Sequence, residues 1–173
     1  PSAPHRRGGL TVAVKEKKIV PSVTVRFAGD SGDGMQLTGD QFTDTTAVMG
    51  NDFATLPDFP AEIRAPAGTL PGVSSFQIQF ADSLIFTPGD MADVLIAMNP
   101  AALKVNTRHV KKGGLMILNE NAFDKDGLEK AAYASNPLED RSLRDWQVLK
   151  VPLSDLTANA LKDHPLRPNE VDR

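Results

Sequence analysis

Val23-Thr24-Val25-Arg26-Phe27-Ala28, running straight into Gly29-Asp30-Ser31-Gly32-Asp33-Gly34, is the stretch that decides the fold. Its first six residues alternate apolar and polar side chains with the period of a strand, and the glycine-rich turn ends that strand. The period then changes. Met35, Thr38, Phe42, Thr46 and Met49 recur at helical spacing, and Gly50 is placed to stop the helix in a left-handed conformation. Asp33 followed three residues later by Gln36 is a capping-box variant that marks the helix start. A strand feeding a glycine turn into a helix is the opening unit of an α/β sheet.

Downstream of that unit, Phe53 to Leu56 reads as a second strand. A long irregular segment follows, with Pro57, Pro60, Pro66 and Pro71 around Glu62-Ile63-Arg64. Loops of that length inside a compact chain are usually functional. Phe76, Ile78 and Phe80 alternate with Gln77 and Gln79, which predicts a half-buried strand, and Leu84-Ile85-Phe86 follows closely enough to complete a hairpin. Asp93 to Met98 is apolar enough for a strand covered on both faces. It ends at Asn99-Pro100, an N-cap and the residue favoured at the first helical position. A helix over 101–109, a strand at Leu115-Met116-Ile117-Leu118 after Gly113-Gly114, a short helix over 126–134, a strand over 146–151 and a capped helix over 154–162 complete the order. This alternation predicts a Rossmann-like α/β fold: an open, mainly parallel twisted sheet with helices on both faces and one inserted hairpin. Residues 1–22 read as an N-terminal extension, 23–162 as one domain, and 163–173, polar and proline-bearing, as a linker towards a following domain.

Composition narrows the function. The 173-residue chain has no cysteine, which removes thiolate metal sites, cysteine nucleophiles and any iron–sulfur cluster ligated by this chain. Apolar runs such as Val94-Leu95-Ile96-Ala97-Met98 are far shorter than a membrane span. Neither a membrane nor a secretory role is expected, and a cytoplasmic location is the simplest inference. Residues 1–18 hold five Lys/Arg against one Glu, a net +4, so a total of −3 leaves −7 on the remainder. An acidic body with one tryptophan and one tyrosine offers no surface for nucleic acid, and the basic leader reads as a solvated tail.

The glycine turn can bind an anion, because the first amides of a helix lack partners and the helix dipole is positive there. Phosphate is the default ligand, yet Asp30 and Asp33 would repel a diphosphate unless their carboxylates are otherwise engaged. A purely structural turn is the rival reading. The dinucleotide spacing is only partly met, by Gly29, Ser31 and Gly34, and Asp58 is a weak candidate for a ribose-binding acid. A hydrolase elbow fails because Asp33 stands where a glycine is required, and an EF-hand fails because Gln41 replaces the bidentate glutamate. His5, His109 and His164 share no ligand spacing. Lys104, Arg108, Lys111 and Lys112 complement a helix end more readily than they bind phosphate. Arg64, alone among prolines and glycines with Glu62 as a nearby partner, is a candidate ligand or interface residue.

Three ordered motifs, Arg26-Phe27-Ala28-Gly29-Asp30-Ser31-Gly32-Asp33-Gly34, Ala61-Glu62-Ile63-Arg64-Ala65-Pro66-Ala67-Gly68-Thr69 and Ala97-Met98-Asn99-Pro100-Ala101-Ala102, resemble the gamma domain of 2-oxoacid:ferredoxin oxidoreductases. The likeness is greatest to the form that opens the alpha subunit of the 2-oxoglutarate:ferredoxin enzymes. It implies CoA-dependent oxidative decarboxylation of a 2-oxoacid such as 2-oxoglutarate, giving succinyl-CoA, with electrons passing to ferredoxin. It also implies thiamine diphosphate, magnesium and an iron–sulfur cluster in other domains or in a beta subunit, with the rest of the alpha subunit as a further partner. This domain would assist coenzyme A binding and assembly and supply no catalytic residue or metal ligand. Carried over by position, Gly29, Asp30, Ser31, Gly32, Asp33 and Gly34 form the loop, Arg64 the following arginine, and Asn99 the residue at a later strand end. The loop is more acidic than the family pattern, and Arg64-Ala65-Pro66-Ala67-Gly68 replaces a short arginine–glycine–glycine turn. A free-standing nucleotide-binding dehydrogenase domain and a non-enzymatic assembly module are the alternatives.

Overall fold

The computed structural model describes residues 19–62 and 64–162. Expectations for the leader before Ile19, for Ile63 and for the tail from Asp163, including His5 and His164, lie outside the described residues. Six strands form one sheet: β1 (Ser22–Asp30), β2 (Asp52–Asp58), β3 (Val73–Ala81), β4 (Ala92–Ala97), β5 (Val110–Asn119) and β6 (Gln147–Val151), in the spatial order β2-β3-β1-β4-β5-β6. Four helices accompany them: α1 (Met35–Val48), α2 (Pro100–Asn106), α3 (Lys125–Lys130) and α4 (Leu153–Leu161).

The pairings β1–β4, β4–β5 and β5–β6 are parallel, whereas β3 runs antiparallel to both β1 and β2. Five strands therefore point one way, as the mainly parallel reading expects. The strand that reverses direction pairs differently from expectation. Leu84-Ile85-Phe86 forms no strand, and β3 pairs instead with β2 across the long proline-rich loop. Asp52 explains part of this: its carboxylate accepts the Ile85 amide at 2.6 Å, holding 84–86 beside the start of β2 as a loop. Leu84 and Phe86 remain exposed. Strand β5 also starts earlier than the glycine pair predicts, with Gly113 at φ 78° inside it and an irregular register against β4.

Alternation splits the core into two layers. On one face Leu95, Ala97, Met116 and Leu118 are fully buried beneath Ala101, Ala102 and Leu103 of α2, with Leu128 of α3 packed alongside. On the other, Val25, Phe27, Phe76 and Ile78 pack against Met35 and Phe42 of α1. The inward stripe of α1 contains Met35, Gly39 and Thr46, while Met49, expected to face inward, is exposed. Gly39 lies against the ring of Phe76 so closely that a Cβ there would overlap it.

Candidate functional site

Strand β1 leads to α1 on one face, and its parallel neighbour β4 leads to α2 on the other. Adjacent strands whose helices leave to opposite faces open a crevice outside their carboxyl ends, the usual ligand position in such sheets. The glycine loop and Asn99 therefore meet at the end of the sheet that the sequence nominated.

The loop begins as a short 3-10 turn, Ser31–Asp33, and Gly34 passes into α1 at φ 70°, a left-handed value that glycine adopts without strain. The cap differs from the expected one. Asp33 does not pair with Gln36; its Oδ2 accepts the Asp30 amide at 2.8 Å, one turn earlier. Gln36 instead donates to Ser74 Oγ at 3.2 Å and to the Ser75 carbonyl at 3.0 Å, clamping α1 to β3. Gly29 makes the folded-back carboxylate possible, since a Cβ there would stand 2.6 Å from Asp33 Oδ2. Desolvation within this turn pushes the Asp33 pKa up, and nearby Asp30 adds to the rise against the effect of the amide hydrogen bond.

No side chain caps the start of α1, and Ser31, Gly32 and Asp33 are exposed. The turn that leads into this 14-residue helix is thus open to solvent, with the positive end of the helix dipole behind it. Asp30 is engaged elsewhere: its Oδ2 accepts the Gly68 amide at 2.8 Å, tying the proline-rich loop to the glycine loop. Its Oδ1 is buried with no hydrogen-bond partner among the described residues. Lys130, ion-paired to Asp126 at 2.8 Å, lays its side chain over Gly68, where a Cβ would stand 3.3 Å from its Cδ. Asp126 first, and Asp30 among smaller contributors, hold the Lys130 pKa up. The sequence reading missed Lys130, because its i,i+4 acid made it look like an ordinary surface pair.

Arg64 stands exposed on the tethered loop, whose Glu62 amide reaches the Pro71 carbonyl at 3.2 Å. It makes no ion pair with Glu62. Asn99 is 9% exposed, and its Oδ1 accepts the Ala102 amide at 2.8 Å, so its side-chain oxygen is committed to the α2 cap. Arg64 stands on the loop tied to Asp30 through Gly68, Lys130 lies over the same glycine, and Asn99 caps α2 at the neighbouring strand end.

Asp58 is no ribose acid. It accepts Arg26 Nη2 at 2.7 Å and Ser75 Oγ at 3.1 Å, and β3 lies between its strand and β1. The basic residues near the α2 end are engaged internally: Lys104 on the Ala131 and Ala132 carbonyls, Lys111 on Asp93 and Lys112 on Asp145. Among the described residues there is no cluster of three or more histidine, aspartate or glutamate side chains able to hold a metal, and no helix is long and apolar enough to cross a membrane.

A family model described as pyruvate ferredoxin/flavodoxin oxidoreductase matches residues 24–170. Over 161 residues, 93% of the chain, the sequence is 56% identical to the 2-oxoglutarate oxidoreductase subunit KorA of Mycobacterium tuberculosis, of whose length it spans 25%. The fold matches 2-oxoglutarate:ferredoxin oxidoreductase from Magnetococcus marinus, solved with 2-oxoglutarate, coenzyme A and succinyl-CoA bound, at a TM-score of 0.63 and 24% identity, over 83% of this chain and 22% of that one. It also matches the keto/oxoacid ferredoxin oxidoreductase gamma subunit of Geobacter sulfurreducens, at a TM-score of 0.57 and 14% identity, over 82% of this chain and 67% of that one.

Proposed function

The chain belongs to the pyruvate ferredoxin/flavodoxin oxidoreductase family, and from that premise we propose that residues 23–162 are the gamma domain of a 2-oxoglutarate:ferredoxin oxidoreductase. The observation that carries this reading is the 56% identity, over nearly the whole chain, to a 2-oxoglutarate oxidoreductase subunit. The domain binds coenzyme A and contributes subunit contacts, while 2-oxoglutarate is decarboxylated elsewhere and electrons leave to ferredoxin. Thiamine diphosphate with its magnesium, and the iron–sulfur cluster, belong to the remainder of the alpha subunit and to the beta subunit. A chain without cysteine holds no thiolate ligand for the cluster.

The part played by this chain is recognition of negative charge. Amides of Ser31, Gly32 and the first turn of α1 receive a phosphate group of coenzyme A, with the helix dipole favouring it. Arg64 reaches the same group from the tethered loop as a planar, charge-assisted donor. Asp33 opposes binding by its charge but is held against the Asp30 amide. The chain supplies no acid, base or nucleophile.

Arg64→Ala in the assembled enzyme tests this. The apparent KM for coenzyme A is expected to rise several-fold while CoA-independent decarboxylation of 2-oxoglutarate keeps its rate. An unchanged KM removes Arg64 from the site. Saturable binding of NADH in place of coenzyme A would favour a dehydrogenase domain, and binding of neither an assembly module.

A further inference from the structure

The two faces of the sheet are unequally covered. Helices α2 and α3 both pack on one face, where alternate residues Leu95, Ala97, Met116 and Leu118 are fully buried. The intervening residues of the same strands, Val94, Ile96, Leu115 and Ile117, point the other way, and each is partly exposed. On β6, Leu149 pairs with Ile117 and extends the stripe, with half of its surface open to solvent. Helix α1 covers the β1–β3 side of this face, and Val94 and Ile96 pack partly against the edge of its cluster. On the opposite face of β1 and β3 the residues Thr24, Arg26, Ser75 and Gln77 are polar but buried, with Arg26 bonded to Asn106 of α2. A sheet face left to water reads polar; Val94, Ile96, Leu115, Ile117 and Leu149 are apolar and partly exposed.

The stripe is bounded at both ends. Towards the strand carboxyl ends, α4 and Met98 enclose a cavity of about 420 Å3 whose walls include Asn119, Leu153, Thr157 and Leu161. At the opposite end Val20, Val23, Val94, Leu115 and Gln147 line another, of about 360 Å3. Three strands at a spacing of about 4.8 Å make a bed roughly 10 Å wide, the diameter of one helix. From Val94 to Met98 is about 13 Å at a strand rise of about 3.3 Å, the length of about nine helical residues.

We infer that in the intact subunit this stripe on β4, β5 and β6 is covered by one amphipathic helix from the same polypeptide, following α4 and outside the 173 residues described by this sequence. The inference rests on the reading that the chain is one part of a longer subunit. Two lengths support that choice of occupant. The chain spans a quarter of the relative with which it is 56% identical. The gamma subunit whose fold it shares has about a third of its length outside the match. Position agrees: Leu161, the last residue of α4, lines the cavity at the head of the stripe. The occupant needs apolar residues at i, i+3, i+4 and i+7 on the face it presents.

Site-specific photo-crosslinking in the assembled enzyme tests this, with p-benzoylphenylalanine at Leu149 in one variant and at Leu115 in another. Retained 2-oxoacid oxidation shows that each variant is folded. Mass spectrometry is expected to find the crosslink, from both positions, on a peptide of the same subunit beyond Arg173 with that helical apolar spacing. Crosslinks to a second copy, to the partner subunit or to residues 1–18, or water-quenched probe at both positions, overturn the inference and leave the coenzyme A reading standing. A mature subunit that ends at Arg173 overturns both the inference and the gamma-domain reading on which it rests.

Discussion

The carboxylate of Asp30, at the end of β1, accepts the backbone amide of Gly68 at 2.8 Å, so the two loops at the mouth of the sheet are joined by one charge-assisted hydrogen bond. Gly68 has φ 82° and Lys130 lies over it, which leaves this amide a fixed direction. Such bonds contribute about 1.5–3 kcal/mol when shielded and less where solvent reaches. Asp30→Ala should free the loop that carries Arg64 and raise the KM for coenzyme A, with little change in Tm. Asp30→Asn keeps an acceptor and should lie between. Steady-state kinetics on both variants check the order; an equal, wild-type KM in both would show that the tether does not position Arg64.

Asp33 is both a cap and an unwelcome charge. Its pKa is raised in the folded chain, so the stability it contributes is present below the ordinary carboxylate value of 3.8 and is lost as pH rises through the folded value. Asp33→Asn retains an oxygen for the Asp30 amide and removes the charge. The variant should be no less stable at neutral pH and should bind coenzyme A several-fold more tightly. Calorimetric titration from neutral pH down towards the ordinary carboxylate range, about pH 4, should show affinity improving towards acid in the wild type and a flatter profile in Asp33→Asn.

Much of this site is legible in the sequence because its signals are local. Val23 to Ala28 alternates, Gly34 accommodates a positive φ and Asn99-Pro100 opens α2, each within a few residues. What escapes the sequence depends on distance along the chain. The partner of β3 is β2, across the proline-rich loop, because pairing is chosen by burial of Phe53, Phe76 and Phe80 together and not by loop length. Similarly, the helix expected to be capped over 154–162 has its first amides held from a distance: Leu153 and Ser154 donate theirs to Asn119 and Asn121, more than 30 residues away. Arg26 sits at a polar position of an alternating strand and reads as solvent-facing, but is 4% exposed.

His109 gives the fold a pH dependence of opposite sign. Partial burial pushes its pKa down, Arg26 and Arg108 add to this, and Asp58 acts against them. Arg108 Nε donates to His109 Nε2 at 3.1 Å, a bond that only the neutral ring accepts. A lowered folded pKa means that stability is full above the unfolded value of 6.5 and is lost as pH falls through the folded value. Tm should therefore fall between about pH 7.5 and 5.5, the interval in which histidine charges. His109→Gln should remove part of that fall, below about 1 kcal/mol because the ring is only partly buried. Identical pH profiles would assign the fall to other groups.

At Gly39 helix α1 lies directly against β3, with the Phe76 ring occupying the space of a side chain. Gly39→Ala gains up to about 1 kcal/mol of helix propensity, but overpacking costs about 1–3 kcal/mol, so the net effect should be destabilising. Thermal melts should show a lower Tm, and Phe76→Leu in the same chain should recover part of the loss by opening the contact. Failure of the second substitution to recover stability would mean that α1 relaxes away from β3 instead of pressing on the ring.

Arg26 provides the sharpest separation between an ion pair and a hydrogen-bonding fork. Its Nε donates to Asn106 Oδ1 at 2.6 Å, Nη1 to Gln77 Oε1 at 3.1 Å and Nη2 to Asp58 Oδ2 at 2.7 Å, so one guanidinium satisfies acceptors on three elements. Burial pushes its pKa down while Asp58 pulls it back, and Gln77 and Asn106 are themselves almost fully buried. Arg26→Met fills similar volume but leaves those acceptors without donors, a loss on the order of 2–4 kcal/mol. Arg26→Lys should recover little, since an ammonium cannot span the three directions of the fork. Asp58 has a 57% exposed side chain, so Asp58→Asn should cost well under about 1 kcal/mol. Urea unfolding of the three variants distinguishes the accounts: equal losses in Arg26→Met and Asp58→Asn would mean that the charge pair, not the fork, holds β1, β3 and the α2 end together.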